Sequence, residues 1–265
     1  MRRILGAVIY EVCDAIALIT FNRQERRNSL GGTLRQDIVS AMKEADTDAA
    51  VRVIILTGAG SAFCAGGDLN EMLDGDAAPD RRSIDEQLEP QRTKTTLSVF
   101  EAKKPVIAAI NGAALGAGMN LALAADIRIA STAAVFGQSF VKRGLLPDYG
   151  GTYFLPRIVG HSKALELMFT AETIDASEAL RIGLVSSVVE PEALLDVVWT
   201  MAAGIAEGAP VAIRLAKTLV NAGSASIHDA LDHEAAAQTI CYATEDGKEG
   251  LLAFKEKRAP VFKGR

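Results

Sequence analysis

The sequence predicts an α/β fold with a helical C-terminal region. Short apolar runs rich in Val and Ile, such as residues 51–57 and 106–110, indicate buried strands. Glycine-rich breaks follow both runs, and this succession of strands and helical segments is typical of α/β proteins. From Pro210 onward every periodic segment is helical. We therefore divide the chain into a core over residues 1–208 and a helical region over residues 209–265, whose apolar faces could pack on another subunit or on the core.

The first half of the chain opens with a predicted hairpin. Residues 4–10 and 15–21 are apolar and β-branched, and a polar stretch separates them. Residues 22–28 form a polar turn, and residues 30–45 have a helical period. Residues 74–95 are polar and charged and contain two prolines, so we expect the start of this segment to be mobile.

The second half alternates short strands and helices. Pro147 with Gly150 signals a turn, and Pro191 stands where a helix can begin. The remaining predicted elements are the end of a helix over 96–102, helices over 117–125, 164–170, 177–181, 210–222, 227–244 and 247–257, strands over 126–130 and 184–189, and an extended segment over 135–140. Asp126 and Arg128 flank a strand and are expected to pair with each other.

Composition excludes several classes of function. The chain has 265 residues and a net charge of -5, so nothing attracts it to nucleic acid or to an acidic membrane. Its three cysteines form no metal or disulfide pattern, and Cys64 is expected to be a buried structural thiol. We find no signal peptide and no apolar run long enough to span a bilayer, which predicts a cytoplasmic protein. No metal site is predicted.

Residues 105–126 are the stretch around which the chain is organised. A buried strand, a turn with Gly112 and Gly116, and a small-residue helix follow one another. Such a turn exposes backbone N–H groups that suit a phosphate, a carboxylate or a developing oxyanion. The glycines could instead serve packing alone. The spacing matches neither the dinucleotide motif nor a P-loop.

A second glycine-rich break follows the strand over residues 51–57. Gly66 and Gly67 again expose backbone N–H groups, although the segment could be an ordinary surface loop. Asp68, with Glu71 three residues later, resembles a helix capping box, so we expect Asp68 to cap the following helix.

Five short motifs occur in a fixed order along nearly the whole chain. They are Asn22-Arg23 with Asn28-Ser29-Leu30, then residues 63–69, residues 105–126, Phe136-Gly137-Gln138, and residues 144–147 with 150–152. Each motif alone is weak, but the ordered set resembles the crotonase superfamily, also called the enoyl-CoA hydratase/isomerase family. The resemblance implies a crotonase-like spiral of ββα units and a C-terminal helical region that builds homotrimers, often paired into hexamers.

The resemblance also implies a site for an acyl-CoA thioester. The backbone N–H groups of Gly67 and Ala117 would hold the oxyanion of a thioester enolate, in agreement with the two glycine-rich breaks. The turn of Glu25, Arg26 and Arg27 would lie along the CoA moiety together with Ala65. The substrate-binding set further includes Asp68, Leu69, Gly116, Asn120, Phe140 and Tyr149. Asn120 could equally serve helix packing or capping. Coenzyme A is part of the substrate, and no separate cofactor is expected.

The chain departs from the family's hydratases at two positions. Those hydratases carry two glutamates where this chain has Asn120 and Phe140, and neither of these side chains can act as a general acid or base. Asp148 resembles the aspartate found at the same turn in isomerases of the family, such as the epoxyphenylacetyl-CoA isomerase of the phenylacetate pathway. A carboxylate in an apolar site is a stronger base. Asp148 could also be only a favourable turn residue.

Several functions follow from this reading. The first is double-bond isomerisation with Asp148 as acid/base, in fatty acid or phenylacetate metabolism. A hydratase in which Asp148 and Asn120 position water is a second, and a non-catalytic acyl-CoA-binding protein is a third. Dehalogenase-type chemistry with Asp148 as nucleophile is a fourth candidate. Family members with that activity have a histidine near the first oxyanion loop, and the histidines of this chain, at 161, 228 and 233, lie outside that loop, which disfavours it. The sequence does not indicate whether the acyl group is linear or aromatic.

Overall fold

The structure is a computed structural model that describes residues 2–74 and 90–265. The start of the segment 74–95, which we expected to be mobile, lies outside the described residues except for residue 74.

A seven-stranded mixed sheet forms the larger layer of the core. Its spatial order is β1-β2-β3-β4-β6-β8-β11. The strands are β1 Arg2–Leu5, β2 Val8–Cys13, β3 Ile16–Phe21, β4 Val53–Gly58, β6 Val106–Ile110, β8 Ile127–Ser131 and β11 Ser187–Val189. β1, β2 and β3 pair antiparallel, and every later pair in the sheet is parallel. Strands β4 and β6 are buried along their whole length, as expected of central parallel strands.

A smaller sheet of short strands runs beside the first, in the order β10-β9-β7-β5. Its strands are β5 Ala62–Cys64, β7 Ala113–Leu115, β9 Val135–Gly137 and β10 Thr173–Asp175. Each long strand β4, β6 and β8 is followed by one short strand and then by a helix in the described chain, which makes repeated ββα units. The predicted α/β fold class with ββα units is confirmed.

The described helices surround these sheets. They are α1 Leu34–Thr47, α2 Leu69–Asp74, α3 Pro90–Phe100, α4 Ala117–Leu123, α5 Gly151–Val159, α6 His161–Thr170, α7 Ala176–Arg181, α8 Leu194–Ala206, α9 Pro210–Ala222, α10 Ile227–Ala243 and α11 Glu245–Glu256. Helix α1 begins at Leu34 and not at Leu30 as predicted, because Leu30 forms a β-bridge with Gly67. Within the described residues no strand follows β11, as the C-terminal helical pattern predicted.

Several elements differ from the sequence prediction in kind, among them the short strands β5, β7 and β10, which were not predicted. The predicted strand over residues 4–10 is two strands, because Gly6 turns the chain with a φ of +58° and Ala7 N–H bonds to Asp37 Oδ2 at 2.7 Å. Helix α5 was not predicted, since the glycines at its start signal a turn and Pro156 lies inside it.

The C-terminal helices are attached to the core by charged side chains. The expected direct ion pair of Asp126 with Arg128 is wrong: Asp126 pairs with Lys217 of α9, with Nζ and Oδ2 2.8 Å apart, and the charge of Arg128 acts on Asp126 only from a greater distance. Arg128 instead donates to the Leu184 and Ala125 carbonyls at 2.8 and 2.7 Å. Arg52 donates to the Phe262 carbonyl near the C-terminus. The boundary at residue 208 stays a prediction.

In the described part of the chain, no single helix combines the length and apolar composition of a membrane span. One pair of helical segments, Pro191–Ala206 and Pro210–Ala222, meets those criteria only when joined, and it is bent by 108°.

Candidate active site

A cavity of about 600 Å³ opens where the two glycine-rich breaks meet the turn that carries Asp148. Its walls are formed by Leu30, Arg35, Ala65, Gly66, Gly67, Asp68, Leu69, Glu71, Met72, Gly116, Ala117, Ser139, Phe140, Arg143, Leu145, Leu146, Asp148 and Tyr149. The structure therefore brings most of the sequence-predicted site residues into one cavity. Asn120, Glu25, Arg26 and Arg27 are the four that do not line it.

The two glycine-rich breaks pack against each other through backbone atoms. A Cβ added to Gly118 would lie 2.1 Å from the Cys64 carbonyl oxygen, and one added to Gly112 would lie 2.1 Å from the Ser61 carbonyl oxygen. A Cβ on Gly66 would lie 2.8 Å from the Leu115 oxygen and 3.7 Å from the Ala117 nitrogen. Glycine is required at these contacts. The glycines therefore have the packing role that the sequence left open, and this packing brings the segments of Gly67 and Ala117 together. Their role as oxyanion donors stays a prediction.

The two candidate oxyanion donors are backbone N–H groups on the cavity wall. Gly67 precedes α2, and Ala117 is the first residue of α4, after Gly116 with a φ of +52°. Neither N–H has an acceptor among residues 2–74 and 90–265. Two unpaired donors on one cavity wall can stabilise negative charge on an acyl oxygen.

A charged network holds the loop that carries Gly67. Arg23 donates to the Ser29 carbonyl at 2.8 Å and to Asp68 Oδ2 at 3.0 Å. Asp68 Oδ1 accepts from the Asn70 N–H at 3.2 Å, so Asp68 caps the start of α2 as expected. Glu71 does not complete a capping box, because its carboxylate accepts from the Gly32 N–H. Burial alone would raise the pKa of Asp68, but the bond and charge of Arg23, together with the hydrogen bonds from the Glu71 N–H and the Ser29 hydroxyl, hold that pKa below its usual value.

The turn that carries Asp148 is held in an uncommon backbone conformation. Tyr149 has a φ of +51° and Gly150 a φ of +80°, both in the left-handed region. The Asp148 carbonyl accepts from the Gly151 N–H at 3.0 Å, which closes the turn into α5. A left-handed aromatic residue is unfavourable and persists only where its surroundings hold it. Asp148 and Tyr149 both line the cavity.

Of the two roles that the sequence left open for Asn120, the structure agrees with packing inside the protein. Asn120 is fully buried and does not line the cavity, so the expectation that it contacts substrate or water there is corrected. Its Nδ2 donates to the Asp148 backbone carbonyl at 2.7 Å, and its Oδ1 accepts from Gln138 Nε2 at 2.6 Å. The small residues of α4 let this helix lie deep in the core, which turns Asn120 inward.

Phe140 and Cys64 are buried side chains that offer no charged group to the site. Phe140 is 8% exposed, and its ring faces the position of Gly116, where a Cβ would lie 3.6 Å from it. Cys64 is fully buried, and burial raises the pKa of its thiol to about 12. A thiol with this pKa stays protonated near neutral pH and is a poor nucleophile, in accord with a structural role.

The turn with Glu25, Arg26 and Arg27 is exposed and lies outside the cavity. It is adjacent to the site, since the Arg27 carbonyl accepts from the Ala65 N–H at 3.0 Å. Contact of this turn with CoA stays a prediction.

Sequence reasoning missed several wall residues. Arg143 lines the cavity and donates to the Ser139 backbone carbonyl and hydroxyl oxygens at 3.0 and 2.7 Å. Arg35, Glu71 and Met72 complete the opposite side. In the sequence, these residues are spaced like the charged and apolar residues of any helix face, so no sequence signal could have identified them as part of the cavity wall. Among the described residues, no three His, Cys, Asp or Glu side chains cluster as metal ligands.

Comparison with known proteins identifies the family of the chain. Residues 11–265 match the family model described as enoyl-CoA hydratase/isomerase. The chain is 41% identical over 256 residues to a short-chain-enoyl-CoA hydratase from Clostridium acetobutylicum, covering 96% of both chains. It is 36% identical over 261 residues to a 1,2-epoxyphenylacetyl-CoA isomerase from Escherichia coli, covering 97% of this chain and 98% of that one.

The crystal structure of an enoyl-CoA hydratase from Bacillus anthracis superposes with a TM-score of 0.90 at 37% identity, covering 98% of this chain and 100% of that one. The fold and the site define a crotonase-fold enzyme. The chain belongs to the enoyl-CoA hydratase/isomerase family, within the crotonase superfamily.

Proposed function

We propose that this enzyme isomerises the double bond of an enoyl-CoA thioester, with Asp148 as its acid/base. The observation that carries the proposal is that Asp148, Gly67 and Ala117 line the same cavity. A proton-transfer group and an oxyanion site in one cavity are the two components that enolate chemistry requires.

The other carboxylates of the cavity are engaged by arginines. Asp68 bonds to Arg23 at 3.0 Å, and Glu71 lies 3.7 Å from Arg23 and 3.8 Å from Arg35. Their charge is used to hold the loop of Gly67. Asp68 and Glu71 therefore have a structural role, and the case for Asp148 rests on its place in the cavity wall.

The reaction is a proton shuttle that conserves the atoms of the substrate. The Asp148 carboxylate takes the proton at the α carbon of a 3-enoyl-CoA, and the C–H electron pair moves into the thioester carbonyl. The resulting dienolate oxygen accepts hydrogen bonds from the Gly67 and Ala117 N–H groups. Asp148 then returns the proton at the γ carbon, the electrons move back, and the double bond lies between the α and β carbons. Removal at the γ carbon of a 2-enoyl-CoA is the same process in reverse.

Hydration of a 2-enoyl-CoA is the second candidate, and the names of the relatives favour it. Short-chain-enoyl-CoA hydratase and crotonyl-CoA hydratase are 41% and 40% identical to this chain. Two residues speak against hydration. Phe140 and the buried Asn120 stand where the family's hydratases carry their two glutamates, so Asp148 would have to activate water without a carboxylate at either position. A non-catalytic acyl-CoA-binding role has no such support, because the relatives named above are enzymes.

The proposal extends to the substrate and the assembly. The substrate is an acyl-CoA thioester, and the chemistry uses no cofactor beyond the CoA that the substrate carries. A homotrimer, or a hexamer of two trimers, would cover apolar side chains that this chain exposes on its last helices, such as Val220, Leu251 and Phe254 at 79%, 64% and 86% exposure. We further propose a cytoplasmic location and a role in fatty acid or phenylacetate metabolism, the latter suggested by the isomerase relative.

Product analysis in water labelled with heavy oxygen tests the reaction type. The enzyme is given a 3-enoyl-CoA and, separately, a 2-enoyl-CoA, and the mass and absorbance of the products are recorded. Isomerisation leaves the mass unchanged while the absorbance of the conjugated thioester appears or disappears. Gain of one labelled water would overturn the proposal in favour of hydration.

A further inference from the structure

We infer that Asn120 is a positioning residue that fixes the turn presenting Asp148 to the cavity, and that Gln138 fixes Asn120 in turn. The role rests on the proposed function, because it concerns the proposed acid/base. Asn120 and Gln138 act from inside the protein, since both side chains are fully buried.

The orientation of both amides follows from hydrogen-bond chemistry. The backbone carbonyl of Asp148 can only accept, so the Asn120 atom 2.7 Å from it must be the donor Nδ2. Asn120 therefore turns its Oδ1 toward Gln138, whose facing atom at 2.6 Å must be the donor Nε2. A directed chain of donors thus runs from Gln138 through Asn120 to the Asp148 carbonyl.

The turn needs an external support because its backbone is unfavourable. Tyr149 and Gly150 are consecutive left-handed residues directly after Asp148. Within the turn, the Asp148 carbonyl accepts the Gly151 N–H. The side-chain Nδ2 of Asn120, on helix α4, is a further donor to that carbonyl. It holds the peptide unit after Asp148 in the orientation that the left-handed Tyr149 requires.

The fit of the Asn120 amide depends on a glycine in the turn. A Cβ on Gly151 would lie 2.4 Å from Asn120 Nδ2, so any side chain at that position would displace the amide. Gly151 is therefore part of the same support.

Helix α4 connects the two halves of the site. Asn120 lies three residues after Ala117, so one helical turn carries both the oxyanion donor and the support of the acid/base turn. The distance between the oxyanion site and Asp148 is thereby set by a single rigid element. Since the Asn120 side chain is sealed from the cavity, its influence on catalysis passes through Asp148.

The test is Asn120→Leu, which keeps the branched shape and the number of side-chain heavy atoms and removes the donor, with Leu123→Ala in the same helix as the matched control. Leu123 is buried and makes no contact with the Asp148 carbonyl, so its truncation loosens the helix without cutting the bond. In the ligand-free protein, we expect amide hydrogen exchange in the peptide over residues 148–152 to become about tenfold faster in Asn120→Leu. We also expect kcat to fall about tenfold or more while KM for the enoyl-CoA is kept.

Leu123→Ala is expected to leave exchange in that peptide and kcat near the parent values. Unchanged exchange and kcat in Asn120→Leu, or equal effects in Leu123→Ala, would overturn the inference. If Asn120→Leu does not fold, Gln138→Leu decides, because it removes the group that orients Asn120 and should shift the same two quantities in the same direction by a smaller factor.

Asp148→Asn separates this inference from the proposed function. In that variant, adding Asn120→Leu should still accelerate amide exchange over residues 148–152. It should not lower kcat further, because the carboxylate that Asn120 positions is already absent. Normal turnover by Asp148→Asn would overturn the proposed function, whereas the exchange measurement would still decide whether Asn120 supports the turn.

Discussion

The guanidinium of Arg23 lies 3.0 Å from the carboxylate of Asp68, and this ion pair joins the first polar turn of the chain to the loop that carries Gly67. The side chains are 16% and 7% exposed, so the pair is largely removed from solvent. The site therefore depends on residues 45 positions apart in sequence.

Arg23→Met should loosen the loop and leave the Asp68 carboxylate without its charged partner. We expect the free energy of unfolding to fall by about 3 kcal/mol, at the lower end of the cost of leaving a buried charge without its partner. We expect kcat to fall as well, since the Gly67 N–H loses its fixed position. Urea unfolding and steady-state kinetics measure the two effects. A variant with parental stability and kcat would show that the pair does not hold the loop.

The same pair predicts how stability responds to acid. The pKa of Asp68 is lowered in the folded protein, so its contribution to stability is fully present above its unfolded pKa of about 4. That contribution is lost as pH falls through the lowered folded pKa. Asp68→Asn should be less stable than the parent near neutral pH, and the difference should shrink as the pH falls below about 4. A difference that stays constant across this range would contradict the assignment.

Gly118→Ala tests the close packing of the two glycine-rich breaks. The added methyl would meet the Cys64 carbonyl oxygen at 2.1 Å, so the segments must separate or the protein must unfold. We expect a loss of at least about 3 kcal/mol of unfolding free energy, at the upper end of overpacking effects, together with loss of activity. Gly204→Ala is the control, because nothing lies within 4 Å of the added atom in helix α8. It should stabilise by about 0.5–1 kcal/mol.

Lys217→Met tests the attachment of helix α9 to the core. Its Nζ lies 2.8 Å from Asp126 Oδ2, and the pair is 10% and 22% exposed. Burial raises the pKa of Asp126 even with Lys217 beside it, so removing the cation should lower the free energy of unfolding by about 3 kcal/mol near neutral pH, at the lower end of the cost of breaking a buried ion pair. The double variant Asp126→Asn with Lys217→Met should recover most of the loss. Thermal or urea unfolding of both variants decides, and an equally unstable double variant would contradict this account.

Local patterns in the sequence were sufficient for the positions of most strands and helices. The apolar runs of β4 and β6 and the glycines after them predicted both the sheet and the two breaks of the site. The resemblance then selected Gly67, Ala117 and Asp148, which the structure places around one cavity.

Contacts between distant residues could not be predicted in the same way. The partner of Asp126 is Lys217, 91 positions later (217 − 126), and local spacing suggested Arg128. The inward direction of Asn120 depends on how deeply α4 is packed, and nothing in its neighbours along the chain determines that depth. Helix α5 was hidden because Gly150 and Pro156 are turn signals in isolation, whereas tertiary packing around Phe154 and Leu155 makes the segment helical.

The most direct test of the central claim is the turnover of Asp148→Asn with a 3-enoyl-CoA, measured beside its affinity for the same thioester and its thermal stability. If Asp148 moves the proton, kcat should fall by about 10²–10⁴-fold, while the variant stays folded and still binds the thioester through the Gly67 and Ala117 N–H groups. Near-parental isomerisation by a folded Asp148→Asn would contradict the assignment of Asp148 as the acid/base.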